Sequence, residues 1–218
     1  MWIRILAAVV GLPIMIVLVW LGGMPFNLLI AAITGAAAAE IYISCGLKNI
    51  RAWLILLIFI LAISSVSILR ENFGLWHVWF VFIAAWGSDT GAYFVGRTIG
   101  KRKLAPKLSP KKTVEGAIGG IIIAAGLLVL YGFILNSQNI FNLTTTDYIA
   151  LGIFGATGAV LGQAGDLFAS SIKRRIGIKD YGKIIPGHGG VLDRFDSILF
   201  TAPATLIFVQ FIFTGYVV

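Results

Sequence analysis

Long apolar runs separated by short clusters of charge set the architecture of this chain. Runs over about 5–21, 27–45, 52–69, 76–95, 117–135, 148–171 and 192–215 each approach the ~20 residues that a helix needs to cross a bilayer. Lipid admits only helices or closed barrels, and the strand-length alternation of a barrel is absent. The pattern therefore predicts an all-α, polytopic transmembrane bundle of about seven spans. The first run follows Arg4, as a signal peptide would, but no small-x-small cleavage site follows it, so an uncleaved helix is expected.

Two carboxylates interrupt the runs. Glu40 lies alone in the second and is open between a structural and a catalytic role; Asp89 lies in the fourth. His77 sits beside Trp76, Trp79 and Phe80 and reads as packing in an aromatic belt. The expected organisation is one integral domain, with N-terminal helices over 1–85 and a catalytic region over 86–218. That region carries polar loops at 97–114 and 172–194.

Composition agrees with a membrane protein: 59% of residues are hydrophobic, 12% are charged, and the mean hydropathy is +0.96. The net charge of +8 does not signal nucleic acid, because the basic residues lie in short loops between spans. One alternation of the loops puts every basic residue except Arg70 on one side, which makes that side cytoplasmic. The N-terminus and both polar loops then face the cytoplasm, across the inner membrane, and the two loops can build one site at that face. Cys45, the single cysteine, reads as a small apolar residue.

The chemistry concentrates between Gly165 and Ser197, where Asp166, Asp180, Asp193 and Asp196 interleave with Lys173, Arg174, Arg175, Lys179, Lys183, Arg194 and His188. On an unbroken helix Asp166, Ser170 and Lys173 share a face. Asp193 and Asp196, three apart, are expected to share another at the start of the last span. Carboxylates from two helices, Asp166 and Asp193 with Asp196 behind them, suit a hard cation completed by phosphates and water. The bland alternative pairs Asp193 with Arg174 or Arg194, and Asp166 with Lys173. The run Pro186-Gly187-His188-Gly189-Gly190 can present backbone N–H groups to an anion or simply reverse the chain. His188 is open between phosphate donor or acid and a structural hydrogen bond. Upstream, Asp89 is followed by Ser109-Pro110-Lys111-Lys112-Thr113-Val114-Glu115-Gly116, lysines beside hydroxyls just before a helix. These suit a phosphate or nucleotide, whereas Lys101, Arg102 and Lys103 suit lipid headgroups. Gly116, Gly119 and Gly120 form a small-residue face for close helix contact, and a homodimer is expected through such faces.

The stretch Ser170-x-Ile172-Lys173-Arg174, Lys179-Asp180, Gly182, Pro186-x-His188-Gly189-Gly190, Asp193-Arg194-x-Asp196 resembles the signature of phosphatidate cytidylyltransferases, also called CDP-diacylglycerol synthases. Asp89-Thr90-Gly91-Ala92-Tyr93 and the SPKKTVEG stretch resemble other blocks of that family, so the likeness covers about Trp86 to Ser197. It implies transfer of CMP from CTP to phosphatidic acid, with Mg²⁺ or Mn²⁺ and a monovalent cation as a further candidate. It implies Asp166, Asp193 and Asp196 as metal ligands, and Lys173, Arg174 and His188 beside them in catalysis. CTP and phosphate contacts would fall to Asp89, Ser109, Lys111, Lys112, Thr113, Glu115, Ser170, Lys179, Asp180, Gly189, Gly190 and Arg194. Two positions depart from the family: Ala169 stands where Glu is common, and Val114 where Trp is common. Either Glu115 or water is then expected to replace the missing carboxylate or turnover is expected to be slower, and the N-terminal region is expected to be short by about two spans.

Three other readings compete. The nearest enzyme alternative is a transferase of another CDP-linked lipid or a CTP-dependent lipid kinase; the CDP-alcohol phosphotransferase pattern, DGxxAR with two later aspartates, is absent. A cation transporter through Glu40, Asp89 and Asp166 needs polar groups through the membrane's depth, whereas the charges gather at one face. A lipid-binding scaffold without activity is motivated by Ala169.

Overall fold

A computed structural model describes residues 2–46, 49–182, 184 and 189–213. The apolar runs are helices: α1 (Trp2–Leu21), α2 (Gly23–Cys45), α3 (Ile50–Asn72), α4 (Leu75–Thr98), α5 (Val114–Ser137), α6 (Thr145–Arg175) and α7 (Ile198–Ile212). By length and composition α2 to α6 can each cross a membrane; α7 and the apolar stretch Val9–Leu21 of α1 are shorter. Large apolar side chains such as Ile122, Phe133, Ile153 and Phe211 point outward, as a lipid-facing surface requires.

Two elements differ from expectation. The 97–114 loop is not irregular: β1 (Lys103–Ala105) pairs antiparallel with β2 (Ser109–Thr113), Lys103 opposite Thr113 and Ala105 opposite Ser109. The last helix starts at Ile198, and Asp193 lies before it in a 3₁₀ turn, Leu192–Arg194. Asp193 and Asp196 therefore do not share a helical face. The cause is local, since the Asp193 carboxylate accepts from the backbone N–H of Gly190 and Tyr181 and holds the chain in a turn.

Side chains close the helix ends. Thr113 Oγ1 accepts from Gly116 N at 3.1 Å and starts α5. Thr144 and Asp147 form a reciprocal capping box at the start of α6. Arg70 donates to the carbonyls of Val19 and Trp20 at 2.8 and 3.0 Å. A cation at a helix C-terminus stabilises by about 0.3–1 kcal/mol at exposed sites.

The small-residue face does its work inside the chain. A Cβ at Gly119 would strike Val95, one at Gly120 the Ser88 carbonyl, and one at Gly116 the Ala92 carbonyl, so α5 lies directly against α4. These glycines are spent on α4, not on a second copy. The His77 ring is fully buried, packed against Phe80 and Phe141 with its Nδ1 2.6 Å from the Phe73 carbonyl, which agrees with a packing role but not with an exposed place in an aromatic belt. A second apolar cluster, with Ala37, Ile41, Phe59, Ala169, Tyr181 and Leu192, packs α2, α3 and α6 beneath the charged segment.

Candidate active site

The charged end of α6 carries Asp166, Ser170 and Lys173 on one face, and Ser170 Oγ donates to Asp166 Oδ1 at 3.3 Å. Gln163, one turn earlier, donates to Ser88 Oγ and to the Ala117 carbonyl, both at 3.0 Å. That fixes α6 to α4 and α5 just above the acid.

The ion pairs cross between elements in a pattern that neither bland pairing anticipates. Lys112, at the end of the hairpin, places Nζ 2.5 Å from Asp166 Oδ2. Lys173 places its Nζ 2.8 Å from Asp193 Oδ1 and 3.8 Å from Asp196 Oδ2. The hairpin and the segment after α6 thus meet at one site, as the loop count requires.

Asp193 is only 7% exposed and fully engaged. Its Oδ1 takes Lys173, and its Oδ2 takes Tyr181 N at 2.8 Å and Gly190 N at 3.1 Å. Asp196 accepts from Ser197 N at 3.0 Å. Burial, reinforced by the neighbouring Asp166 carboxylate, pushes the Asp196 carboxyl up to about 8. Burial, with Asp193 beside it, also raises the Tyr181 phenol, which donates to the Ala169 carbonyl at 3.1 Å.

Asp89 on α4 lies within electrostatic reach of Lys112, Asp166 and Arg194. Together with Asp166 it lines two cavities at once. The first, about 350 Å³, is bounded by Tyr93, Arg97, Lys111, Lys112 and Gln163. The second, about 740 Å³, has Lys173, Asp180, Asp193, Arg194 and Asp196 on one side. Its other wall is apolar, from Leu12, Met15, Leu29 and Ile33 of α1 and α2. Both volumes fall in the range of small-molecule sites.

The remaining candidates fall in different places. Arg174, Lys179 and Lys111 are exposed, and Arg174 Nη1 donates to the Ile178 carbonyl at 3.2 Å. Glu115 accepts from the backbone N–H of Lys101 and Arg102, which holds the hairpin's first residues on α5. Thr113 is buried as the cap of α5. Ser109, opposite Ala105, is not among the residues lining these two cavities. Gly189 packs with a φ of +85° near Asp193. His188 and Lys183 lie outside the described residues. Ala169 is fully buried among apolar side chains.

Among the described residues, no three His, Cys, Asp or Glu side chains converge to hold an ion by themselves. The donor chemistry nevertheless fits a hard cation that also binds phosphate. Among the described residues, Asp89, Asp166, Asp180, Asp193 and Asp196 line the larger cavity against Lys173 and Arg194. Such an excess of carboxylates repels a phosphate unless a cation enters with it, and Mg²⁺ prefers one or two carboxylates plus phosphate oxygens and waters.

Residues 44–212 match the cytidylyltransferase family. A phosphatidate cytidylyltransferase of Rickettsia bellii is 40% identical over 205 residues, covering 93% of this chain and 88% of that protein. The chain belongs to the phosphatidate cytidylyltransferase family. Another member, from Bacillus subtilis, is 44% identical over 133 residues, 61% of this chain and 47% of that protein. One from Haemophilus influenzae is 45% identical over 139 residues, 64% of this chain and 47% of that protein. The chain therefore matches about half the length of those two relatives and most of the Rickettsia protein. The family match takes in every candidate site residue, from Asp89 to Asp196, but begins after Glu40.

Two contributors were not legible as site residues. Tyr181 is buried at the centre of the segment, and nothing in its sequence context marks it. Glu40 stands out in the sequence only as a lone acid in an apolar run, with its partners far along the chain.

Proposed function

We propose that this chain is a phosphatidate cytidylyltransferase: it transfers CMP from CTP to phosphatidic acid and gives CDP-diacylglycerol and pyrophosphate. The observation that carries this reading is the partition formed by Asp89 and Asp166. A cation-lined cavity lies on one side of it, and a cavity half charged and half apolar lies on the other. The first suits a nucleotide triphosphate; the second suits a phosphate carried on acyl chains.

In this reading Arg97, Lys111 and Lys112 hold the triphosphate of CTP, and Lys173 and Arg194 hold the phosphate of phosphatidic acid. Leu12, Met15, Leu29 and Ile33 meet the acyl chains where they leave the headgroup. A phosphatidate oxygen attacks the α-phosphorus and forms the new P–O bond. The bond from that phosphorus to the α,β-bridging oxygen breaks, and pyrophosphate leaves with the electron pair. The protein contributes alignment and charge rather than a covalent step. Asp166 and Asp196 would hold Mg²⁺, or Mn²⁺ in its place, with Asp193 joining them when Lys173 turns to phosphate. Held there, such a cation would supply positive charge to offset that of the phosphate oxygens.

The seven helices cross the inner membrane in this reading, with the N-terminus, the hairpin and the 172–194 segment at the cytoplasmic face. The distribution of basic residues supports that orientation.

The test is direct. Purified protein in mixed micelles of phosphatidic acid and detergent, with Mg²⁺ and α-labelled CTP, is expected to give label in a chloroform-soluble product with equimolar pyrophosphate. Bound phosphatidic acid with no product would contradict the reading and favour a lipid-binding scaffold.

A further inference from the structure

Two carboxylates, not one, hold the segment that carries Asp193. Asp193 takes the N–H groups of Tyr181 and Gly190. The next two N–H groups, of Val191 and Leu192, go to Glu40 of α2: Val191 N lies 2.9 Å from Oε1 and Leu192 N lies 3.3 Å from Oε2. Glu40 is 1% exposed, and no cation pairs with it among the described residues; its oxygens are spent on backbone. One turn on, Ser44 Oγ donates to the Tyr181 carbonyl at 2.5 Å. Glu40 and Ser44 share a face of α2, so one helix from the N-terminal half grips both ends of the 181–192 segment.

The segment is shaped for this carboxylate. The atoms nearest a Cβ on Gly182 would be those of the Glu40 side chain, and a Cβ on Gly190 would strike Glu40 Oε2 and the Gly182 backbone. Two glycines thus leave the space that the Glu40 carboxylate fills. The same helix lends Leu29 and Ile33 to the apolar wall of the larger cavity.

We propose that Glu40, which lies just before the 44–212 stretch that matches the family, is a positioning residue for the reaction. Through Val191 and Leu192 it sets where Asp193 stands, and through Asp193 where the Lys173 ammonium points. The proposal rests on the reading above of where transfer occurs. It differs from a packing role because the grip acts on the position of Lys173 and Asp196 rather than on the bundle. Replacing Glu40 by Gln leaves one acceptor oxygen for two N–H groups while keeping size and shape.

The experiment measures amide hydrogen exchange and steady-state kinetics on the full chain in detergent. In Glu40→Gln, exchange in peptides covering 189–195 is expected to quicken by about tenfold while the other helices keep the parent's rates. The kcat is expected to fall roughly 10–100-fold, the scale of a small misplacement at a reacting centre, with KM for CTP unchanged. Gly182→Ala, whose new methyl presses first on the Glu40 side chain, is expected to give the same pattern. In the Glu40→Ala background it is expected to add little, a non-additivity that marks a shared path. Parent-like exchange at 189–195 overturns the proposal, as does a loosened segment with unchanged kcat, or faster exchange spread through all helices. An inactive parent contradicts the proposed reaction instead; the exchange at 189–195 then decides by itself whether Glu40 holds the segment.

Discussion

Lys112 and Asp166 join the two charged regions of the chain: the hairpin lysine places Nζ 2.5 Å from Oδ2 of the α6 carboxylate. Lys112 lines the smaller cavity and Asp166 lines both, so in the proposed reaction the pair occupies ground that the substrates would take. Lys112→Met is expected to raise KM for CTP by about 10–100-fold, because a hydrogen bond to a charged group is worth about 1.5–3 kcal/mol. Lys173→Met is expected to raise KM for phosphatidic acid instead. Steady-state kinetics with each substrate varied in turn check this, and the reverse pattern would exchange the two cavities.

Asp196 gives a pH dependence whose sign follows from its surroundings. Burial and Asp166 hold its carboxyl up to about 8 in the folded protein, against an ordinary 3.8. Between those values the folded chain binds a proton that the unfolded chain has released. The contribution of Asp196 to stability is therefore fully present below about 4 and lost as pH rises toward about 8. Thermal midpoints in EDTA are expected to fall across that window. Asp196→Asn is expected to flatten the slope; an unchanged slope would place the titration elsewhere.

Close helix contact makes the glycines of α5 unforgiving. A Cβ on Gly116 would stand 2.7 Å from the Ala92 carbonyl oxygen and 3.0 Å from Gly96 Cα, both backbone atoms. Gly116→Ala is expected to cost about 1–3 kcal/mol, the usual range for overpacking. Gly126→Ala, with nothing within 4 Å of the new methyl, is the control and is expected to keep the parent's thermal midpoint.

The helical frame was legible because each apolar run approaches the length of a span, and α1 to α7 fall where those runs lie. The shared face of Asp166, Ser170 and Lys173 was legible for the same reason, since helix periodicity fixes it once the helix is unbroken. The hairpin was not, because SPKKT has no apolar alternation and is held by Glu115 reaching back to Lys101 and Arg102. The start of α7 was misplaced because the apolar residues Val191, Leu192 and Phe195 hide a turn made by one side-chain carboxylate. Partner choice was hidden as well. Lys173 bonds Asp193 twenty residues on, and Glu40 bonds Val191 at a separation of 151, distances at which no local pattern survives.

Orientation is testable with the chain's own chemistry. Cys45 is the only cysteine, so a Cys45→Ser background accepts single reporters. Lys107→Cys, at the exposed hairpin tip, is expected to react with an impermeant maleimide only in inverted vesicles. Gln138→Cys, just after α5, is expected to react only from the opposite side. Labelling of Lys107→Cys in intact cells would reverse the proposed topology.

The measurement that bears most directly on the central claim is turnover by the parent and Asp166→Asn side by side, with phosphatidic acid, CTP and Mg²⁺. Asp166 lines both cavities, so in the proposed reaction its charge stands where transfer would occur. The account predicts CDP-diacylglycerol and pyrophosphate from the parent, and a kcat lower by at least ~10²-fold in the variant, the scale of losing one electrostatic stabiliser. Equal turnover in the two proteins would contradict it.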